Sequence, residues 1–232
     1  MIVNPTQRKP SNGGSPGGAT RASKLAETLR EAILRGELAP GTRLSLDALR
    51  KRYQVSLSPL REAISRLAST GLVVTQDQRG HRVAPVSLPA LLEICALRDC
   101  LEPRGLRESM RHTDLDWQSE VRAARHRVQR AFPGDQPGLS DIQAAALDSF
   151  HVTLIANAQM PILKALSRNM HDHWLRYLHL FGGAMTQDMS IPDALSSIAD
   201  EAISGDADTA CARLSAEIAR TGTRLQAQLP VE

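Results

Sequence analysis

Ser56, Ser58, Pro59 and Arg61 open a stretch whose residue types suit recognition of an anionic polymer. Behind them Leu60, Ala63, Ile64 and Leu67 recur at i, i+3, i+4 and i+7. That spacing builds one apolar helical stripe and turns Ser58, Arg61, Ser65 and Arg66 to the opposite face. Pro59 fits only the first turn of such a helix, and Ser56 or Ser58 is placed to cap its exposed amides. A hydroxyl-rich helix start with an arginine offers donors to phosphate oxygens and to base edges.

The flanking elements position that helix. Leu25, Leu29, Ala32 and Ile33 share one face of a helix over 23–36, which Gly36 stops. Leu38 to Leu44 is a Pro-Gly turn leading into a short extended piece, and Leu46, Leu49 and Tyr53 mark a second short helix. After Gly71, residues 72–75 are β-branched; Gln76 to Gly80 has turn chemistry, and 81–86 returns as a second strand. Three helices and a β-hairpin tipped with Arg79, His81 and Arg82 predict a winged helix-turn-helix.

Charge agrees with this layout. The net charge is only +3, but residues 1–85 carry 14 Lys+Arg against 6 Asp+Glu while residues 86–232 carry 14 against 19. A basic N-terminal third is the electrostatic footprint of a nucleic-acid binder. Residues 1–20 are rich in proline and glycine and read as a disordered tail with no signal-peptide pattern. No apolar run is long enough for a membrane span. Cys95, Cys100 and Cys211 lack metal-type or redox-type spacing, as expected for reduced thiols of a cytoplasmic protein.

From Leu88 the pattern is helical, with segments over 88–111, 116–132, 140–157, 161–182, 190–204 and 206–228. Short connections predict antiparallel neighbours, hence an all-α bundle, and Ser87-Leu88-Pro89 is the expected boundary. The expectation is a mainly α chain: a tail over 1–20, a winged helix-turn-helix over 21–86, and an effector-binding and dimerisation bundle over 87–232. The chain contains no glycine-rich phosphate loop, no nucleophile–base pairing and no complete metal constellation, which argues against an enzyme.

Residues 25–86 resemble the DNA-binding domain of the GntR family of bacterial transcription regulators, through Leu38 to Leu44, Val55 to Leu72 and Gly80 to Val83. The helical remainder resembles the FadR-type branch, whose C-terminal (FCD) domain is an all-α ligand sensor. The resemblance implies a cytoplasmic, nucleoid-associated homodimer that binds an operator, commonly as a repressor, and responds to a small organic acid. It places Ser56, Leu57, Ser58, Pro59 and Arg61 at the DNA, Arg43 near its backbone, and Arg79, Gly80, His81 and Arg82 in the wing contact. Leu57 stands where arginine is frequent, and leucine can meet a thymine methyl but cannot read guanine. Asp47 departs likewise from a branch member that has arginine there. A bundle that only dimerises and senses no ligand is the alternative.

The same resemblance implies that Arg98 contacts an anionic effector, although Glu102 lies four residues on and suits an ion pair. It also puts Asp148 and His151 where an acid–histidine pair begins a divalent metal site, of the zinc or nickel type. The two later histidines of that pattern are absent, since all seven histidines precede residue 180. Leu195 or Ser196 falls at one position and Glu217 at about the other. Asp148, His151 and Glu217 are therefore an incomplete metal set, and the other reading of His151 is an ordinary pocket or core histidine, hydrogen-bonded to Asp148 or a backbone carbonyl. His173, Arg176 and Tyr177 share a face and could line the same cavity as tentative effector residues, while His171 and His173 could instead face solvent or a dimer partner.

Overall fold

The computed structural model describes residues 20–76, 80–132, 139–185 and 190–229. Residues 1–19 of the expected tail, the Pro133 to Gly138 break and Arg79 lie outside the described residues.

The N-terminal part runs α1 (Arg21–Leu34), β1 (Arg43–Leu44), α2 (Leu46–Tyr53), α3 (Leu57–Ser69), β2 (Val73–Gln76) and β3 (Gly80–Val83). Helix α1 starts two residues earlier than its apolar spacing suggested, because the Thr20 side chain accepts the Ser23 amide. Leu29, Ile33, Leu60, Ile64, Leu67, Leu72 and Val83 bury together as the core of this part. The extended piece near Leu44 is a full sheet member: β1 and β2 flank β3, with Leu44 opposite His81 and Thr75 opposite His81 on the other side. The wing is thus anchored by a third strand, where sequence suggested a bare hairpin. Strand β3 ends at Val83, and Pro85, which has no amide hydrogen to give a ladder, follows two residues later.

The rest of the described chain is helical: α4 (Leu88–Arg111), α5 (Leu115–Ala131), α6 (Asp141–Leu154), α7 (Pro161–Phe181), α8 (Ser190–Ser204) and α9 (Ala207–Gln228), with a 3-10 turn at Gly182–Met185. Asp114 and Ser140 cap α5 and α6 through their side chains, and Ser140 with Gln143 forms a capping box. Helix α6 stops at Leu154, three residues short of the expected end. Helix α4 packs along α7 and α9, and α5 along α6 and α8. Phe150, Leu106, Val121, Ala199, Leu214 and Trp174 are among the buried side chains that fill the bundle. Helix α7 also touches α1, so it belongs to both halves of the molecule.

Candidate functional site

The polar face of α3 is built as its sequence implies, with one change. Ser56 occupies the N-cap position of α3 but its hydroxyl makes no capping bond. No capping contact from Ser58 replaces it among the described residues. The first-turn amides of α3 and both hydroxyls therefore stay open to an anion. Arg61 is exposed and has no hydrogen bond or ion pair among the described residues, whereas Arg66 on the same helix is held by Glu62 and Ser23. Leu57 is 37% exposed at the leading end. Arg43, Asp47, Arg61, Gly80 and His81 line one groove of about 700 Å³ between α2, α3 and the wing. Pro59 is half-buried at the start of α3. Two wing side chains have internal partners: His81 Nδ1 lies 3.1 Å from Thr75 Oγ1, and Arg82 Nη1 donates to the Gly41 carbonyl at 3.1 Å.

A second polar constellation is enclosed in the bundle. Arg98 and Glu102, each 1% exposed, pair on α4 through Nε to Oε1 at 2.5 Å and Nη2 to Oε2 at 3.3 Å. The Arg98 guanidinium also stacks 4.2 Å from the Trp174 ring centroid. His151 from α6 places Nδ1 2.8 Å from Glu102 Oε2. His171 from α7 brings Nε2 to 3.0 Å from Glu102 Oε1 and Nδ1 to 3.5 Å from Asp148 Oδ1. Neither ring nitrogen of His171 reaches hydrogen-bonding alignment, and Trp174 Nε1 is buried without a partner among the described residues.

The electrostatics follow from that enclosure. Burial alone would raise the Glu102 carboxyl, but Arg98 and the two imidazoles hold it well below the usual carboxylate range. Burial, aided by Arg98, pushes His151 down to about 4 against the pull of Glu102. A neutral His151 then donates its Nδ1 hydrogen to Glu102. For His171 burial opposes the charged form, yet Glu102 and Asp148 outweigh it and raise this imidazole. The cluster thus combines a guanidinium, a carboxylate, one neutral ring and one ring that favours its proton.

Several expected positions differ. Arg98 realises its ion-pair reading. Neither Asp148 nor Glu217 joins His151 in a ligand group among the described residues: Asp148 meets Arg168 and His171, and the Glu217 carboxylate receives Arg220 and Thr221 along α9. His173, Arg176 and Tyr177 do not join His151. They turn toward the N-terminal part, where His173 Nε2 donates to the Thr70 carbonyl at 2.8 Å and Arg176 donates to the Ala84 carbonyl. Tyr177 OH accepts the Ser87 amide at 3.0 Å and donates to the Ser87 carbonyl at 2.9 Å. All of these partners are main-chain groups of the junction between the two parts, which side chains of α7 therefore bridge; the Ser87 carbonyl also accepts the Leu91 amide at 3.0 Å. Gly71, at φ +78°, leaves room for His173: an added Cβ would meet its Nε2 at 3.3 Å. His171 faces neither solvent nor a partner but enters the cluster. In the sequence Glu102 stands out only as the partner of Arg98, and nothing there assigns His171 to a site. Its one signal was the Arg98–Glu102 spacing.

Three ligand atoms, from Glu102, His151 and His171, lie within 4.8 Å of one another. One carboxylate and two imidazoles fit a divalent ion of borderline softness. The unaligned nitrogens of His171 are what such an ion would satisfy, with Asp148 behind the ring as its outer partner.

Residues 21–83 match the bacterial regulatory proteins of the gntR family, and residues 93–220, more than half of the chain, match the FCD domain. The chain belongs to the GntR family of transcription regulators. Among similar family proteins is an HTH-type regulator, BphR, of Paraburkholderia xenovorans, 41% identical over 44% of this chain and 42% of its own length. The chain thus matches less than half of that relative. The HTH-type repressor GlaR of Escherichia coli is 28% identical over 64% of this chain and 68% of its own. LutR of Bacillus subtilis is 30% identical over 60% and 68%. In fold the chain is similar to Escherichia coli McbR/YncC, with TM-score 0.77 at 19% identity, covering 90% of this chain and 98% of that one. The GntR-family assignment makes the open face of α3 a helix-turn-helix surface and the enclosed cluster part of an FCD ligand-binding domain. No helix among the described residues is long and apolar enough to cross a membrane.

Proposed function

We propose that this GntR-family regulator is a cytoplasmic, nucleoid-associated homodimeric repressor that leaves its operator when a small organic acid binds the FCD bundle. Ser56, Leu57, Ser58, Pro59 and Arg61 enter the major groove. Arg43 approaches the backbone, and Arg79, Gly80, His81 and Arg82 approach the minor groove or phosphates. The observation that carries the effector reading is the buried Arg98–Glu102–His171 cluster, with His171 and Trp174 Nε1 unsatisfied. An enclosed guanidinium beside a ring that favours its proton attracts a carboxylate, which accepts bonds from both. The name of GlaR, a repressor, supports the sign. In a second reading, favoured by the grouping of Glu102, His151 and His171, those residues would hold a zinc- or nickel-type ion, and the chemistry it would supply is Lewis acidity toward the carboxylate.

Selection of bound fragments from genomic DNA tests the DNA half, and a fragment bound in preference to competitor at moderate salt is expected. Thermal-shift and calorimetric titration with a panel of organic acids, before and after chelation, tests the sensor half. One acid should stabilise the protein and lower its affinity for the selected fragment. A panel with no response supports a bundle that only dimerises, and a response lost on chelation supports the ion.

A further inference from the structure

Between the buried cluster and α1 the molecule carries a row of side chains in which carboxylates alternate with imidazole or guanidinium groups. Glu102 Oε1 is 3.0 Å from His171 Nε2, and His171 Nδ1 is 3.5 Å from Asp148 Oδ1. Asp148 Oδ2 is 2.9 Å from Arg168 Nη1, and Arg168 Nε is 3.6 Å from Asp172 Oδ1. Asp172 then holds Arg30 of α1 with both oxygens, Nε to Oδ2 at 2.6 Å and Nη2 to Oδ1. The row begins in the FCD bundle and ends on the helix that packs behind α3.

Its arrangement has a physical consequence. Each carboxylate stands between two nitrogen-bearing side chains, so whatever strengthens one contact draws that carboxylate from the other. Most of the row is sheltered: Glu102 and His171 are 1% exposed, Asp172 8% and Arg30 14%, with Arg168 the open link at 44%. Sheltered pairs escape most salt screening. Arg30–Asp172 and Arg35–Asp141 are the charged contacts from α1 to the bundle among the described residues, and only the first lies on the row.

We propose that this row couples the sensing cluster to the DNA-binding part: the seat of the His171 ring between Glu102 and Asp148 sets how Asp148 and Asp172 share Arg168, and thereby how firmly Asp172 holds Arg30 and seats α1. The proposal rests on the sensor reading above and adds its route. Coupling of this kind is a free energy between two places and is measured as non-additivity.

The test is a cycle in the full-length protein. Affinity for a fragment selected from genomic DNA is measured for the wild type, His171→Gln, Arg168→Met and the double variant. Amide exchange of α1 is followed in the same four proteins without DNA. Arg168 is half-exposed, so its replacement leaves the core intact. His171→Gln is expected to change affinity about fivefold or more and to alter exchange in α1, and in the Arg168→Met background the same change should fall within about twofold, the limit for uncoupled sites. Arg35→Gln, off the row, should leave the effect of His171→Gln unchanged. An equal effect of His171→Gln in both Arg168 backgrounds, or none on either readout, overturns the proposal. Asp148→Asn replaces His171→Gln should the latter fail to fold. A protein that selects no fragment refutes the DNA reading, while exchange in α1 still decides the row.

Discussion

Glu102→Gln is the sharpest probe of the buried cluster. The carboxylate receives Arg98 at 2.5 and 3.3 Å and His151 Nδ1 at 2.8 Å, and it lies 3.0 Å from His171 Nε2. Glutamine keeps the shape but removes the charge, and it sets an amide NH2 against donors where an oxygen had accepted. The Arg98 guanidinium, 1% exposed, then has no water to turn to. Removing one partner of a buried pair costs about 3–5 kcal/mol, whereas exchanging both for apolar groups of similar volume is often close to neutral. For a chain of this size each kcal/mol moves Tm by about 2–4 °C, so the single variant should melt about 10 °C lower. Arg98→Met with Glu102→Met should regain most of that loss, because neither charge remains and the two imidazoles can go neutral. Differential calorimetry and urea titration near neutral pH read both. A fall of less than about 2 °C in the single variant, or a double variant as weak as the single one, refutes the assignment of an enclosed, mutually dependent pair.

Arg61→Ala should weaken binding to a selected fragment by about tenfold to a hundredfold, the loss of one good base contact, with Tm unchanged; equal affinity in gel-shift titration at fixed salt counts against it. Replacing thymine by deoxyuridine at the base facing Leu57 should weaken binding of the wild type but not of Leu57→Ala, and equal sensitivity in both removes the methyl contact. In chelator-treated protein, stability should rise with pH from about 4 to 6.5 as His151, depressed in the fold, ceases to take up a proton on unfolding. That contribution is roughly 3 kcal/mol. His171, raised in the fold, works the other way, stabilising fully below 6.5 and less as pH climbs through its folded value. Urea midpoints against pH should show His151→Gln losing the first slope and His171→Gln the second. Gly105→Ala places a Cβ 2.9 Å from Ile155 Cγ2 and 3.0 Å from Leu163 Cδ2, for a loss of about 1–3 kcal/mol that Ile155→Ala relieves in urea denaturation.

The DNA-binding half was legible residue by residue. Leu60, Ala63, Ile64 and Leu67 announce their helix by spacing, Gly71 stops it, and the leftover face of Ser58 and Arg61 must meet solvent or a ligand. Helix α5 and α8 were likewise readable to within a residue from apolar period and caps. Such features are local: a helix period, a cap and a turn each depend on neighbours in the chain.

What chain order could not supply is where polar side chains of different helices meet. His171 and His173 are two residues apart on α7, yet one enters the bundle beside Glu102 and the other bonds to Thr70 at the opposite junction. Both belong to one helix whose two faces serve two packing partners, and nothing in the spacing says which partner lies where. Asp148 and Glu217 were both candidate ligands, but the packing of α6 on α7 gives Asp148 to His171, while α9 keeps Glu217 with its own Arg220. Neighbours along the chain set the helices, the hairpin strands and the exposed polar face of α3. Packing sets which buried charges pair, because an ion pair forms where desolvated groups come within a few ångströms, and the relative placement of whole helices sets that distance.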